Sequence, residues 1–167
     1  EVRICDVAMT TFDLNNPPDD TDAVGLWHFD EETGQTATDS AGTNDEAQLG
    51  STSGTDVNDP TWISSGPTWV PRATGYALCF DGVDDTVYID NEENFDFNYN
   101  DAFSIEAMFK TESNEMLCIV SKYLDAMPHR GFQLIKHDSS NGNALYFFLV
   151  NTYVTASSGD QIRCFGS

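Results

Sequence analysis

Carboxylates placed at turns are the residues of this chain best suited to chemistry. The segment Asp39-Ser-Ala-Gly-Thr-Asn-Asp45 sets oxygen-bearing side chains at alternating positions around a glycine. Calcium is bound by such side chains, helped by backbone carbonyls, at about 2.4 Å. The spacing predicts a calcium site formed by Asp39, Gly42, Asn44 and Asp45. The alternative is a turn that the aspartate stabilises by bonding backbone amides, without a metal ion.

A second acidic loop, Asp81-Gly-Val-Asp-Asp85, admits the same two interpretations. Its spacing suits a tight turn, because Gly82 can adopt a positive φ and aspartate side chains cap backbone amides. We therefore favour the turn here, and the loop at Asp39 is the better of the two candidates for a metal site.

Glycoside hydrolysis needs two carboxyl groups facing each other roughly 5–9 Å apart. Glu106 is the only acid of its predicted strand, and the adjacent Asp30, Glu31 and Glu32 would point to alternating faces. The histidines and cysteines carry no signature of a nucleophilic site. The sequence thus predicts a protein that is not an enzyme.

Sugar binding needs aromatic side chains beside polar groups, since an aromatic face packs against a pyranose ring. Trp62, Trp69, Tyr99 and Tyr123 lie in or near predicted loops and are the candidate ligand-binding residues. The alternative is that Trp62 and Trp69 pin a long surface loop, residues 50–68, onto the core.

Charge and composition exclude several partners. The 167 residues carry 28 acids and 7 bases, a net charge of −21. Such a field repels phosphates, which argues against nucleic acid. No run approaches the roughly 20 apolar residues of a membrane span, so membrane insertion is not expected. The four cysteines fit either two disulfides in an oxidising compartment or four small buried hydrophobes.

Short runs with period-two alternation dominate the chain and predict an all-β fold. In residues 103–110, for example, Phe103, Ile105, Ala107 and Phe109 share one face. Residues 138–143 predict a hairpin connection. Six polar and proline residues at 15–20 predict a linker.

Three motifs resemble the laminin G-like domains of the concanavalin A-like lectin/glucanase superfamily. They are Gly25-Leu-Trp-His-Phe-Asp-Glu31 with Thr36-Ala-Thr-Asp-Ser-Ala-Gly42, Tyr76-Ala-Leu-Cys-Phe-Asp-Gly-Val-Asp-Asp-Thr-Val87, and Phe103-Ser-Ile-Glu-Ala-Met-Phe-Lys110. The order and spacing of the motifs also agree, over about residues 22–155. The acid triplet of the glucanase branch does not occur.

The resemblance implies an antiparallel β-sandwich, a concanavalin A-like jelly roll that is incomplete at its C-terminal side. Residues 1–14 resemble a closing strand, either the end of a preceding domain or an edge strand of this one. Residues 15–21 would be the linker and 22–167 the domain. We expect a neighbouring identical domain, or another chain, as one means of completing the sheet edge.

The function implied is a non-catalytic carbohydrate-binding or adhesion module of a larger secreted or cell-surface protein, stabilised by calcium. Its ligand would be a glycan or a surface protein. The alternatives are a structural spacer without a ligand and, as the weakest, a domain related to glycoside hydrolases.

Overall fold

The computed structural model describes residues 1–10, 20–43, 45–64, 76–90, 92–98, 100–124, 129–153 and 161–166. Of residues 20, 124, 129, 151–153 and 161–166 only the backbone is described. Across these ranges the regular structure consists of β-strands and short 3-10 helices, without an α-helix. The all-β prediction is confirmed.

Twelve strands are present in the described part of the chain. They are β1 Val2–Cys5, β2 Ala23–Trp27, β3 Thr36–Ala37, β4 Ala47–Leu49, β5 Thr61–Ile63, β6 Ala77–Cys79, β7 Val87–Ile89, β8 Ser104–Ala107, β9 Leu117–Leu124, β10 His129–Lys136, β11 Leu145–Tyr153 and β12 Gln161–Gly166. The 3-10 helices are Asp20–Asp22, Glu92–Phe95 and Ser139–Asn141. None of the described helices has the length and apolar character needed to cross a membrane.

The chain forms two compact units. The first comprises Glu1–Asn94 and Ala102–Met108, and the second comprises Phe95–Asp101 and Phe109–Ser167. Residues 15–19 of the predicted linker lie outside the described residues.

The first unit contains three antiparallel sheets, in the strand orders β2-β1-β8, β3-β4-β7 and β5-β6. In the first sheet Ile4 stands opposite both Gly25 and Ile105. The N-terminal segment therefore forms the predicted strand, but at the centre of a sheet rather than at its edge. Ile4 and Cys5 are buried, which is the burial expected of a central strand.

One stretch differs from the sequence prediction. Residues 50–68 were expected to be a loop, yet Thr61–Ile63 pairs with Ala77–Cys79. This strand has only three residues and lies among polar residues, so the sequence shows no clear alternation of polar and apolar side chains there. Burial in the unit centres on the residues Leu26, Trp27, Ala37, Ala47 and Leu49.

The cysteines do not form two disulfides. Cys5, Cys79 and Cys118 are free, Cys5 being buried and the other two exposed. The interpretation as small buried hydrophobes therefore holds for Cys5 and is wrong for Cys79 and Cys118. Burial raises the pKa of the Cys5 thiol, which keeps it in the neutral form.

The second unit is an antiparallel meander, β12-β11-β10-β9, whose neighbours in sequence are neighbours in the sheet. The predicted connection at 138–143 is confirmed. The Asp138 side chain accepts a hydrogen bond from the Asn141 backbone N–H, and Gly142 has a φ of 69°. Such a left-handed residue favours glycine and closes the turn.

A buried lysine at the end of β10 joins the segment before β9 to the connection before β11. Lys136 is 6% exposed. Its Nζ donates to the carbonyl oxygens of Ser113 (2.6 Å) and Glu115 (3.0 Å) and to Asn143 Oδ1 (2.8 Å). Three acceptors match the three hydrogens of an ammonium group, so the burial of this charge is compensated by full hydrogen bonding.

We expect Lys136→Met to lower the free energy of unfolding by about 2–3 kcal/mol, because it leaves three acceptors without their donor. Urea unfolding followed by circular dichroism measures this change. The matched control is Lys122→Met, which removes a partly exposed ion pair with Asp96 and should cost less than about 1 kcal/mol. Equal losses in the two variants would contradict the structural role of Lys136.

Candidate functional site

The side chain of Asp39 organises the loop predicted to bind calcium. Its Oδ1 accepts hydrogen bonds from the backbone N–H groups of Leu26 (3.0 Å) and Ala41 (2.9 Å). Its Oδ2 accepts from the N–H of Thr43 (2.9 Å) and, at 3.4 Å, of Asp45. The carboxylate thus joins strand β2 to the loop that follows position 39. Asp39 is only 6% exposed, so these hydrogen bonds are buried.

The Thr43 hydroxyl lies among three acceptor oxygens. Thr43 Oγ1 is 2.7 Å from Asp39 Oδ2, 2.8 Å from Asp45 Oδ2 and 3.0 Å from the carbonyl oxygen of Val24. A hydroxyl supplies one hydrogen, so it can donate to only one of these three. Thr43 Oγ1 and its three neighbours thus form a group of four oxygens in which one hydroxyl hydrogen serves three close contacts. Such a group of oxygens is what a hard cation prefers as ligands.

Asp45 is held from a second side. Its Oδ2 accepts a hydrogen bond from Asn94 Nδ2 (2.8 Å), and its backbone carbonyl accepts one from Trp27 Nε1 (2.9 Å). The residue is 1% exposed. The two carboxylates of this loop are consequently fixed by strand β2 and by the Glu92–Phe95 helix.

Two effects oppose each other at the Asp39 carboxyl group. Burial alone raises its pKa, whereas the hydrogen bonds from Thr43, Leu26 and Ala41 lower it, and the net shift is below the ordinary value of 3.8. Donors that stabilise the ionised form prevail, so the group is a carboxylate at neutral pH.

Of the predicted calcium ligands, the structure brings Asp39 and Asp45 together around Thr43. Gly42 supplies the turn with a φ of 80°. Asn44 lies outside the described residues. The bonds from Asp39 to backbone amides are those of the metal-free turn, while calcium binding at this loop stays a prediction. Thr43, which the sequence analysis did not select, is the residue that joins the two acids.

The second acidic loop forms the predicted turn. Asp81 Oδ1 accepts from the Val83 N–H and Asp85 Oδ2 from the Asp81 N–H, both at 2.7 Å. Gly82 has the expected positive φ, 81°. Asp81, Asp84 and Asp85 also bring one carboxylate oxygen each within 4.8 Å of one another, a spacing that a metal ion could bridge.

The predicted aromatic ligand-binding residues do not form one described group. Trp62 lies in strand β5, partly buried, and its Nε1 donates to the carbonyl oxygen of Gly34 (3.0 Å). This bond fits the alternative in which Trp62 pins its segment. Tyr123 lies in strand β9 of the second unit, opposite Gly131, rather than in a loop. Trp69 and Tyr99 lie outside the described residues.

A row of polar and aromatic side chains crosses the sheet β3-β4-β7. Thr36 stands opposite Gln48, and Gln48 stands opposite Tyr88. Their strand neighbours Ala37, Ala47 and Leu49 are buried on the other face, while Tyr88 is 61% exposed. With neighbouring strands about 4.8 Å apart, the row spans about 10 Å. The alternation around Tyr88 and Gln48 is visible in the sequence, but their registration across strands is not.

Glu106 pairs with a buried arginine of the neighbouring strand β1. Arg3, 1% exposed, lies 3.6 Å from Glu106 and 3.5 Å from Glu1 through its guanidinium nitrogens. Burial raises the pKa of Glu106, and the charge of Arg3 opposes that rise. The arrangement is that of an ion-pair group built into the sheet.

No family model matches the chain, and neither the curated proteins nor the solved structures contain a match to it.

We expect Asp39→Asn to lower the free energy of unfolding at neutral pH by about 1.5–3 kcal/mol, the range for hydrogen bonds to a charged group. The NH2 group of the asparagine would face backbone N–H groups that now donate hydrogen bonds to the carboxylate. Because the pKa of Asp39 is lowered in the folded protein, its stabilisation is present above 3.8 and is lost as the pH falls below that value.

Urea titrations of both proteins at neutral and acid pH check this expectation. The difference between wild type and Asp39→Asn should shrink in acid. Asp84→Asn, at an exposed position, is the control and should change stability by less than about 0.5 kcal/mol. A neutral-pH stability of Asp39→Asn equal to that of wild type would refute the role given to Asp39.

Proposed function

We propose that this chain is a non-catalytic carbohydrate-binding or adhesion module of a secreted or cell-surface protein, with the laminin G-like jelly roll that its motifs resemble. The observation that carries the proposal is the row Thr36-Gln48-Tyr88 on the open face of the sheet β3-β4-β7. Its partner would be a glycan.

The row offers the two kinds of contact that sugars use. The exposed Tyr88 ring provides an apolar face on which a pyranose can pack. The Gln48 amide supplies both a donor and an acceptor, and the Thr36 hydroxyl supplies one more donor. Because the sheet fixes the backbone at the three positions, binding requires no rearrangement of the backbone.

The row also explains why binding would not lead to hydrolysis. Its three side chains are neutral, whereas glycosidases use a pair of carboxyl groups across the scissile bond. A sugar held on this face would be bound and released unchanged.

Calcium belongs to the proposal as a stabilising ion at the loop 39–45. Support comes from the three oxygens around Thr43 Oγ1 and from the burial of both Asp39 and Asp45. An ion there would offset the repulsion between two buried carboxylates that share one hydroxyl. In this arrangement the metal orders the loop and takes no part in chemistry.

A structural spacer is the second candidate, and two observations favour it. The Trp62 indole N–H donates to the carbonyl oxygen of Gly34, and the Asp39 oxygens accept from backbone amides. Two residues that the sequence analysis selects as ligand-binding are thus hydrogen-bonded within the protein, as expected for a module that binds no ligand.

We expect wild-type protein to bind at least one immobilised glycan saturably and Tyr88→Ala to weaken that binding about tenfold or more, since the ring supplies the stacking face. A glycan array followed by titration calorimetry measures both. Phe80→Ala is the matched control, because Phe80 is 52% exposed in the same unit but lies outside the row. Unsaturable binding across the array would favour the spacer, and equal binding by Tyr88→Ala would move the ligand away from the row.

We expect calcium to raise the melting temperature relative to chelator, because a ligand at 100 times its dissociation constant stabilises a protein by about 2.7 kcal/mol. Asp45→Asn should remove the shift, whereas Asp84→Asn should keep it. The reverse pattern would place the ion at Asp81, Asp84 and Asp85, whose carboxylates lie close together. The same melting temperature in calcium and in chelator would remove the metal from the proposal.

A further inference from the structure

We propose that the loops 51–59 and 81–86 form a docking surface for a basic polypeptide segment that carries aliphatic side chains. We call these two loops the acidic loop pair. The proposal is independent of the glycan row, which uses other residues of the first unit.

The acidic loop pair exposes apolar side chains that the fold does not use. Val57 is 80% exposed and Val83 is 82% exposed, while Phe80, which leads into the second loop, is 52% exposed. A single exposed apolar residue is ordinary on a protein surface, but a group of them on one surface is typical of an interaction site.

Hydrogen bonds join the two loops next to the exposed valines. Asn58 Nδ2 donates to the carbonyl oxygen of Asp84 (3.2 Å), and the Thr86 N–H donates to the carbonyl oxygen of Asn58 (2.9 Å). Val57 precedes Asn58 and Val83 precedes Asp84. The two valines therefore flank the point at which the loops are joined.

Internal bonds fix the shape of each loop. Asp56 accepts from the Asn58 N–H (2.8 Å) and from the Ser51 and Thr52 hydroxyls (3.0 and 2.9 Å), and its own N–H donates to Asp59 (3.0 Å). Asp81 and Asp85 do the same in the second loop. A surface fixed in this way loses little conformational entropy when a partner binds.

The charge of the acidic loop pair selects the partner. The two loops carry five aspartates, Asp56, Asp59, Asp81, Asp84 and Asp85. The described segments 50–64 and 76–90 contain no lysine or arginine. A second copy of this chain carries the same −21 charge and would be repelled, as would an anionic lipid surface. Lysine or arginine beside aliphatic side chains complements both features of the surface.

The test is a titration of the whole chain, in chelator, with a short synthetic peptide that alternates lysine and leucine. A peptide alternating lysine and serine has the same charge and tests the apolar contribution. The variant Val57→Ser with Val83→Ser removes the apolar contacts without changing net charge. Met116→Ser, at a residue 59% exposed in the second unit, is its matched control.

We expect saturable binding of the lysine–leucine peptide, about tenfold weaker binding by the double valine variant, and no change with Met116→Ser. Asp84→Asn should also weaken binding, and raised salt should weaken it in every protein. Equal affinity for the two peptides, or equal binding by the double variant and wild type, would reduce the interaction to bulk charge attraction and overturn the proposal. So would the absence of saturable binding.

Discussion

The buried carboxylate of Asp39 is the constraint on which the first unit depends. It accepts hydrogen bonds from the backbone N–H groups of Leu26, Ala41 and Thr43, which belong to strand β2 and to the loop that follows position 39. Removing an acceptor from several buried amides costs far more than the bond itself contributes, since each amide would lose both water and partner. The ionised acid at position 39 therefore stabilises the packing of its loop against β2, whether or not a cation joins it.

Charge is distributed unequally between the interior and the surface. Among the residues that the structure describes, two basic side chains, Arg3 and Lys136, are almost wholly buried and serve internal hydrogen bonds or ion pairs. Two acids, Asp39 and Asp45, are buried as well, so the burial of charge among the described residues leaves the surface strongly acidic, and its carboxylates repel one another. Such self-repulsion destabilises the compact state and is relieved by salt, by divalent cations or by a basic partner. The net charge of this surface therefore attracts cationic partners and repels anionic ones.

Strand positions followed from alternation, as in Ser104–Ala107 and in Leu145–Tyr153, because one face of each strand must be buried. The partners of those strands did not follow. Val2–Cys5 was expected at an edge and lies at the centre, since pairing with both β2 and β8 depends on residues far away in sequence. The row at Gln48 and the link that Thr43 makes between two acids could not be predicted from the sequence either, because each depends on contacts across strands or loops.

Order within the loops decides whether the first unit can act as a binder. Aspartates at 56, 81 and 85 accept backbone amides and so hold their loops without help from a ligand. The entropy of ordering is therefore lost on folding and not on binding. A spacer has no need of exposed Val57, Val83 and Tyr88 on such ordered segments, since polar residues would keep the surface soluble. Exposed apolar side chains on ordered backbone favour recognition over a purely structural role.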